Sequence, residues 1–139
     1  MMDNAELRSA IDARHSVRRY LDRVIPAQVR TQLNEDEDLA LVIALGYGET
    51  QGKPHQVRPI ERFAQGGDGA PMPDWFMSGL EMVALAPSAR HQQKFFFTLD
   101  GNQVSAHRGG SYTGYTGVDL GIAKLHFEIG AFGGTWSWA

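Results

Sequence analysis

LAPSARHQQKFFFTL, residues 85–99, is the stretch on which the division of the chain turns. Pro87 follows an apolar helical pattern and ends it, and Ser88, Arg90, His91, Gln92 and Gln93 then form a polar turn. Phe95, Phe96 and Phe97 open an apolar run. A helix therefore passes to a strand through a turn that is either a solvated loop or a binding site.

Upstream, WFMSGLEMVALA places Phe76, Leu80, Val83 and Ala84 on one helical face, with Asp74 as its N-cap. AQGGDGAPMP, residues 64–73, reads as a flexible connection into that helix. Downstream, residues 95–99 and 103–106 flank Asp100-Gly101, the dipeptide of a tight hairpin turn, which predicts two antiparallel strands. After the loop RGGSYTGYTG, Thr116 and Asp119 form a capping-box pattern opening a last helix. Val118, Ile122, Leu125 and Ile129 are expected on its buried face, and Gly130 as its stop. The tail AFGGTWSWA carries two Trp that need a partner surface.

The N-terminal half opens with a short amphipathic helix over residues 3–13, carrying Leu7 and Ile11 behind Asp3 or Asn4 as N-cap. In RHSVRRYLD the alternation of Arg14, Ser16 and Arg18 puts three polar side chains on one face of an extended backbone. Two guanidiniums and a hydroxyl suit a phosphate; the same pattern also describes a solvated basic patch. Ile25-Pro26 opens a second helix with Val29 and Leu33 on one face, and the acidic NEDED ends it. LALVIAL, residues 39–45, is a continuous apolar run that predicts a central strand covered on both faces. Gly46, Gly48 and Gly52 follow it, but Pro54 and Pro59 oppose the helix that a dinucleotide-binding turn requires. KPHQVRP reads as an extended loop bearing His55 and Arg58. The order of elements predicts an α+β fold with a mixed or antiparallel sheet flanked by helices. One domain over residues 1–139 is expected, with 1–34 as a helical, phosphate-binding segment and 39–139 as sheet and helices.

The 139 residues are 42% hydrophobic and 21% charged, with a net charge of -3, a balance that offers no basic face to nucleic acid. Without cysteine there is no disulfide, thiolate metal site or cysteine nucleophile. The N-terminal MMDNAELRSAID has neither the apolar core of a secretory signal nor a membrane span, so no membrane partner and a cytoplasmic location are expected. His55, His91, His107, His126 and Glu128 show no metal-ligand spacing, so no metal is expected. No G-x-S-x-G elbow marks Ser88 as a nucleophile. Anion binding is the chemical theme that remains.

Four segments, in consistent order, resemble flavin-dependent nitroreductases. RHSVRRYLDRVIP is similar to the R-x-S-x-R opening of that superfamily, and LAPSARHQQKFFFTL to its A-P-S-x-x-N-x-Q-P-W segment. IALGYGETQGKPHQVRP and VDLGIAKLHFEIGA resemble the branch that carries the A-P-S segment late in the chain. The resemblance implies a nitroreductase-like α+β fold, a homodimer and FMN at its interface. It implies that Arg14, His15, Ser16 and Arg18 hold the phosphate and ribityl chain, with Arg58 a second phosphate contact. Pro87, Ser88 and Ala89 would approach the flavin from the partner subunit, with His91 and Gln93 close by. His91 stands where the family has Asn, Lys94-Phe95 replaces Pro-Trp, and Gln56 replaces a basic residue. Between Leu33 and Leu39 the chain is shorter than the family pattern, which has a central block of strands and helices there. The expected function is an FMN-dependent NAD(P)H oxidoreductase reducing nitro compounds, quinones or similar acceptors, with no side chain named as catalytic. The alternative is a non-catalytic homodimeric flavin-binding or interaction module.

Overall fold

The computed structural model describes residues 3–23, 46–53, 56–66, 71–110 and 114–139. The second predicted helix, the NEDED break, the 39–45 strand, His55 and part of the glycine-rich connection lie outside the described residues. The chain forms two units, Met1–Arg14 with Gln56–Ala139, and His15–His55.

In the larger unit the elements run α1 (Asn4–Ala13), β1 (Ala64–Gly66), α2 (Asp74–Ala84), β2 (Phe95–Asp100), β3 (Gln103–Arg108), α3 (Thr116–Gly130) and β4 (Ser137–Trp138). The sheet has the order β1-β2-β3-β4, with β2 and β3 antiparallel and β1 and β4 each parallel to its neighbour. The fold is thus the mixed α+β arrangement expected. The hairpin closes one residue later than the dipeptide suggested: Asp100 pairs with Gln103, and Gly101 at φ +55 takes the first loop position. That is the position a type II′ turn reserves for glycine.

Only α1 begins with the side-chain cap anticipated for it. Asp3 caps α1 by accepting from Glu6 N–H while the Glu6 carboxylate accepts from Asp3 N–H, a complete capping box. Asp74 lies inside α2, and Pro73 occupies the cap position. Thr116 likewise lies inside α3, and no side-chain cap is made at Tyr115. The Asp119 carboxylate is turned elsewhere.

The core sits between the helices and one face of the sheet. Phe95, Phe97 and Leu99 alternate inward along β2 and meet Phe76, Leu80, Val83 and Phe127. The Phe127 ring stacks on Phe97 at 5.3 Å and meets Phe76 edge-on at 5.5 Å. Burying each such side chain contributes about 1.5–3 kcal/mol.

Three expectations are corrected here. The supposed flexible connection contains β1, because backbone pairing of Ala64 to Gly66 with Phe97 to Leu99 fixes a segment whose composition looks like a linker. The buried face of α3 is Asp119, Ala123, His126, Phe127 and Gly130, whereas Val118 and Leu125 are each 56% exposed and Ile122 and Ile129 only half-buried. The cause is the close crossing of α2 and α3. A Cβ on Gly79 would lie 2.5 Å from the Phe127 ring, and one on Gly130 would lie 2.7 Å from Gly79 Cα. Small residues fit that crossing, and branched aliphatics do not. Finally, the terminal Trp residues pack on their own chain: Trp136 stacks on Trp75 and Trp138 lies 5.6 Å from Phe127.

Polar contacts seat α1, which buries no residue fully. Arg8 donates to Ser78 Oγ and to the Gly130 carbonyl, and Asn4 to the Ile129 carbonyl, at 3.0–3.1 Å. They satisfy carbonyls that the end of α3 leaves open.

Candidate functional site

The polar turn after α2 is built from strained backbone held by many hydrogen bonds. Beyond Pro87, Ser88 is extended, Ala89–His91 makes a single 3-10 turn, and three non-glycine residues are left-handed. These are Arg90 and His91 at φ 54 and Gln93 at φ 44. Side chains other than glycine seldom enter that region, and each such residue costs roughly 1–3 kcal/mol unless its surroundings enforce it.

The surroundings supply the restraint. Ser88 Oγ accepts from Gln93 N–H at 2.8 Å, closing the turn on itself. The Ser88 and Ala89 carbonyls accept from His91 and Gln92 N–H. Asp119, 3% exposed at the start of α3, accepts from Ala89 N–H at 2.8 Å and from Gln92 Nε2 at 2.7 Å. Arg58 donates to the His91 carbonyl at 3.1 Å, and His91 Nε2 lies 3.0 Å from the Gln56 carbonyl. A carbonyl only accepts, so His91 carries a proton on Nε2.

Gln93 is the deepest member of the turn, 5% exposed. Its Nε2 donates to the Ala84 carbonyl at the end of α2, while Oε1 is buried and has no partner among the described residues. A buried acceptor left open costs about 1–3 kcal/mol, and such exceptions call for a physical reason.

Of the residues singled out from sequence, Arg58, Pro87, Ser88, Ala89, His91 and Gln93 thus belong to the larger unit, and all but Pro87 share this hydrogen-bond network. Arg14 is in the same unit, at the C-cap of α1, with an extended backbone at φ -68 and ψ 129.

His15, Ser16 and Arg18 belong to the smaller unit, where glycines bring two backbones together. Tyr20 pairs with Gly48 in an antiparallel bridge, flanked by bonds from Leu21 N–H to Tyr47 O and from Glu49 N–H to Arg19 O. Arg19 and Glu49 form an ion pair at 2.7 Å. A Cβ on Gly52, at φ +81, would meet His15 Cβ at 2.8 Å and Ser16 O at 3.0 Å. One on Gly48 would meet Val17 at 3.0 Å. The glycines that superficially suggest a dinucleotide turn therefore let the chain lie against the RHSVRRY segment.

Asp119, Gln92 and Gln56 were not anticipated as members of the site. The signal for Asp119 was present: it shares the i, i+4, i+7, i+11 face with Ala123, His126 and Gly130. Reading the helix by its bulkiest aliphatics chose the neighbouring face, one residue round the helix.

The α+β fold is of nitroreductase type. The model of the family described as "Putative TM nitroreductase" matches residues 25–131, and the chain belongs to that family. It is similar in structure to a crystal structure of a putative nitroreductase from Thermotoga maritima, with a TM-score of 0.61 and 20% sequence identity. The likeness covers 93% of this chain and 85% of that one. No curated protein matches the chain. Among the described residues no helix is long and apolar enough to cross a membrane.

Proposed function

We propose that the chain is an FMN-dependent oxidoreductase of nitroreductase type, acting as a homodimer and using NAD(P)H to reduce a nitro compound, quinone or similar acceptor. FMN, when bound, supplies the electron and hydride chemistry, and the protein supplies binding, orientation and electrostatics. Arg14, His15, Ser16 and Arg18 are assigned to the phosphate and ribityl chain. The turn at 87–93, with Arg58, is assigned to the flavin held by the other chain.

The observation that carries this reading is the Gln93 Oε1 acceptor, buried and unpaired beside a turn of enforced left-handed backbone. An isoalloxazine ring offers an N–H donor, so the residues present fit the group. Arg58 and Arg90 add guanidinium donors at the same turn, favouring an anionic ligand.

The test is to purify the chain, titrate it with FMN and follow quenching of flavin fluorescence together with the thermal transition. Saturable quenching and a rise in Tm that grows with FMN concentration are expected, since a ligand that binds only the native state stabilises it. Arg14→Ala with Arg18→Ala is expected to weaken binding by roughly tenfold or more, as lost charge-assisted phosphate bonds do. Absence of both quenching and stabilisation in the unaltered chain would overturn the reading. Bound FMN without NAD(P)H oxidation would instead favour a flavin-binding module without turnover.

A further inference from the structure

We propose that Asp119 is the positioning residue of the flavin-facing turn, its buried carboxylate holding the left-handed backbone at Arg90, His91 and Gln93 in the shape that receives the ring. The role in positioning rests on the FMN reading above; the clamp itself rests on geometry alone.

The two carboxylate oxygens reach opposite sides of the strained pair. Oδ1 takes the N–H of Ala89, just before Arg90 and His91, and Oδ2 takes the side-chain amide of Gln92, just after them. A single rigid group thereby fixes the separation of the residues that bracket two left-handed positions. Burial of Asp119 keeps water from competing for both hydrogen bonds.

The clamp is referenced to the core. Asp119 N–H bonds to the Tyr115 carbonyl, so the residue is locked into the first turn of α3. That helix is in turn fixed by Phe127 and Gly130 against Gly79 of α2. Ser88, Gln93 and Arg58 tie the turn to itself and to α2 and the 56–58 segment, but none of their bonds spans Arg90 and His91 from α3. A neighbouring carbonyl could satisfy Ala89 N–H; a planar side chain with two polar atoms, a carboxylate or an amide, satisfies both partners at once. The position of an acid one turn into a helix also agrees with the sign of the helix dipole.

The experiment compares Asp119→Ala and Asp119→Asn in the full chain. Amide hydrogen exchange, read by mass spectrometry without FMN, is expected to speed up roughly tenfold or more in peptides covering residues 86–94 of Asp119→Ala. Peptides from α1, β2 and β3 are expected to be unchanged. FMN affinity, from fluorescence quenching, is expected to fall roughly tenfold or more in the same variant, the scale set by misplacing a contact surface. Asp119→Asn is expected to stay within about threefold of the unaltered chain in both measurements, because its amide keeps an acceptor for Ala89 and the Gln92 amide can rotate to pair with it.

Exchange in residues 86–94 that is unchanged in Asp119→Ala, or raised equally everywhere, would overturn the clamp. So would an Asp119→Asn variant as damaged as Asp119→Ala. If Asp119→Ala does not fold, Gln92→Ala removes one arm alone and is expected to raise exchange locally, with no local rise overturning the proposal. If the unaltered chain binds no FMN, the proposed function falls and the exchange comparison alone decides the clamp.

Discussion

Glycine has opposite consequences at two positions of one helix. A methyl group at Gly130 would press on the backbone of α2, 2.7 Å from Gly79 Cα, where no side chain can yield. Gly130→Ala is therefore expected to destabilise the chain by about 1–3 kcal/mol, the cost of overpacking. At Gly121 a Cβ would meet nothing within 4 Å, and the residue is exposed in mid-helix. Gly121→Ala is expected to add about 0.5–1 kcal/mol through helix propensity alone. Urea denaturation of both variants checks the signs; equal effects would mean that the α2 crossing does not depend on Gly130. Phe127 is the other residue on which the crossing turns, fully buried and in ring contact with Phe76, Phe97, Trp136 and Trp138. Phe127→Ala is expected to cost about 3–5 kcal/mol in the same assay, as removal of a buried aromatic ring does.

Elements were legible in the sequence where a local rule fixed them and obscure where a distant partner did. α1, α2 and the hairpin follow from an N-cap residue, an apolar face and a turn glycine, all within a few residues. β1 and β4 carry no such mark, because three residues ending in glycine and two at the C-terminus become strands only by pairing with β2 and β3. The orientation of α3 was hidden for a related reason, since its burial is decided by what α2 allows to approach. Within the site, the A-P-S turn was readable as a motif, but the Asp119 clamp was not, because its partners lie 27 and 30 residues away. Remote polar contacts also seat α1. Arg8 bonds both Ser78 and the final carbonyl of α3, so Arg8→Ala is expected to cost roughly 1–2 kcal/mol. Faster amide exchange confined to α1 and the end of α3 is the expected mark of that loss. Uniform exchange would place the effect elsewhere.

At the scale of the molecule, the proposed homodimer needs an apolar contact surface, and neither the Phe95–Phe97 run nor the terminal Trp residues supply it. Phe95 and Phe97 are consumed in the core, and Trp136 and Trp138 pack against Trp75, Phe127 and each other, with Trp138 also donating to Glu128. None of these is available as the broad exposed patch that a small chain would hide by pairing. The exchange of faces on α3 supplies one instead. Val118 and Leu125 stand out from the helix, Ile122 and Ile129 are half-buried beside them, and Tyr115 and Phe132 lie at its two ends, 62% and 75% exposed. A row of branched and aromatic residues at helical spacing, left in water along fifteen residues, is the kind of surface that marks a protein contact. In a two-fold dimer the same row meets itself, so one substitution acts twice. Leu125→Glu sets two carboxylates into such a contact while touching nothing in the core. The expected result is a dimer for the unaltered chain in multi-angle light scattering and a monomer for Leu125→Glu, with the thermal transition of the variant still cooperative. A variant that stays dimeric would move the contact off α3, and an unaltered chain that is monomeric at tens of micromolar would remove the proposed homodimer, since a flavin shared between two chains requires their association to persist near roughly micromolar Kd.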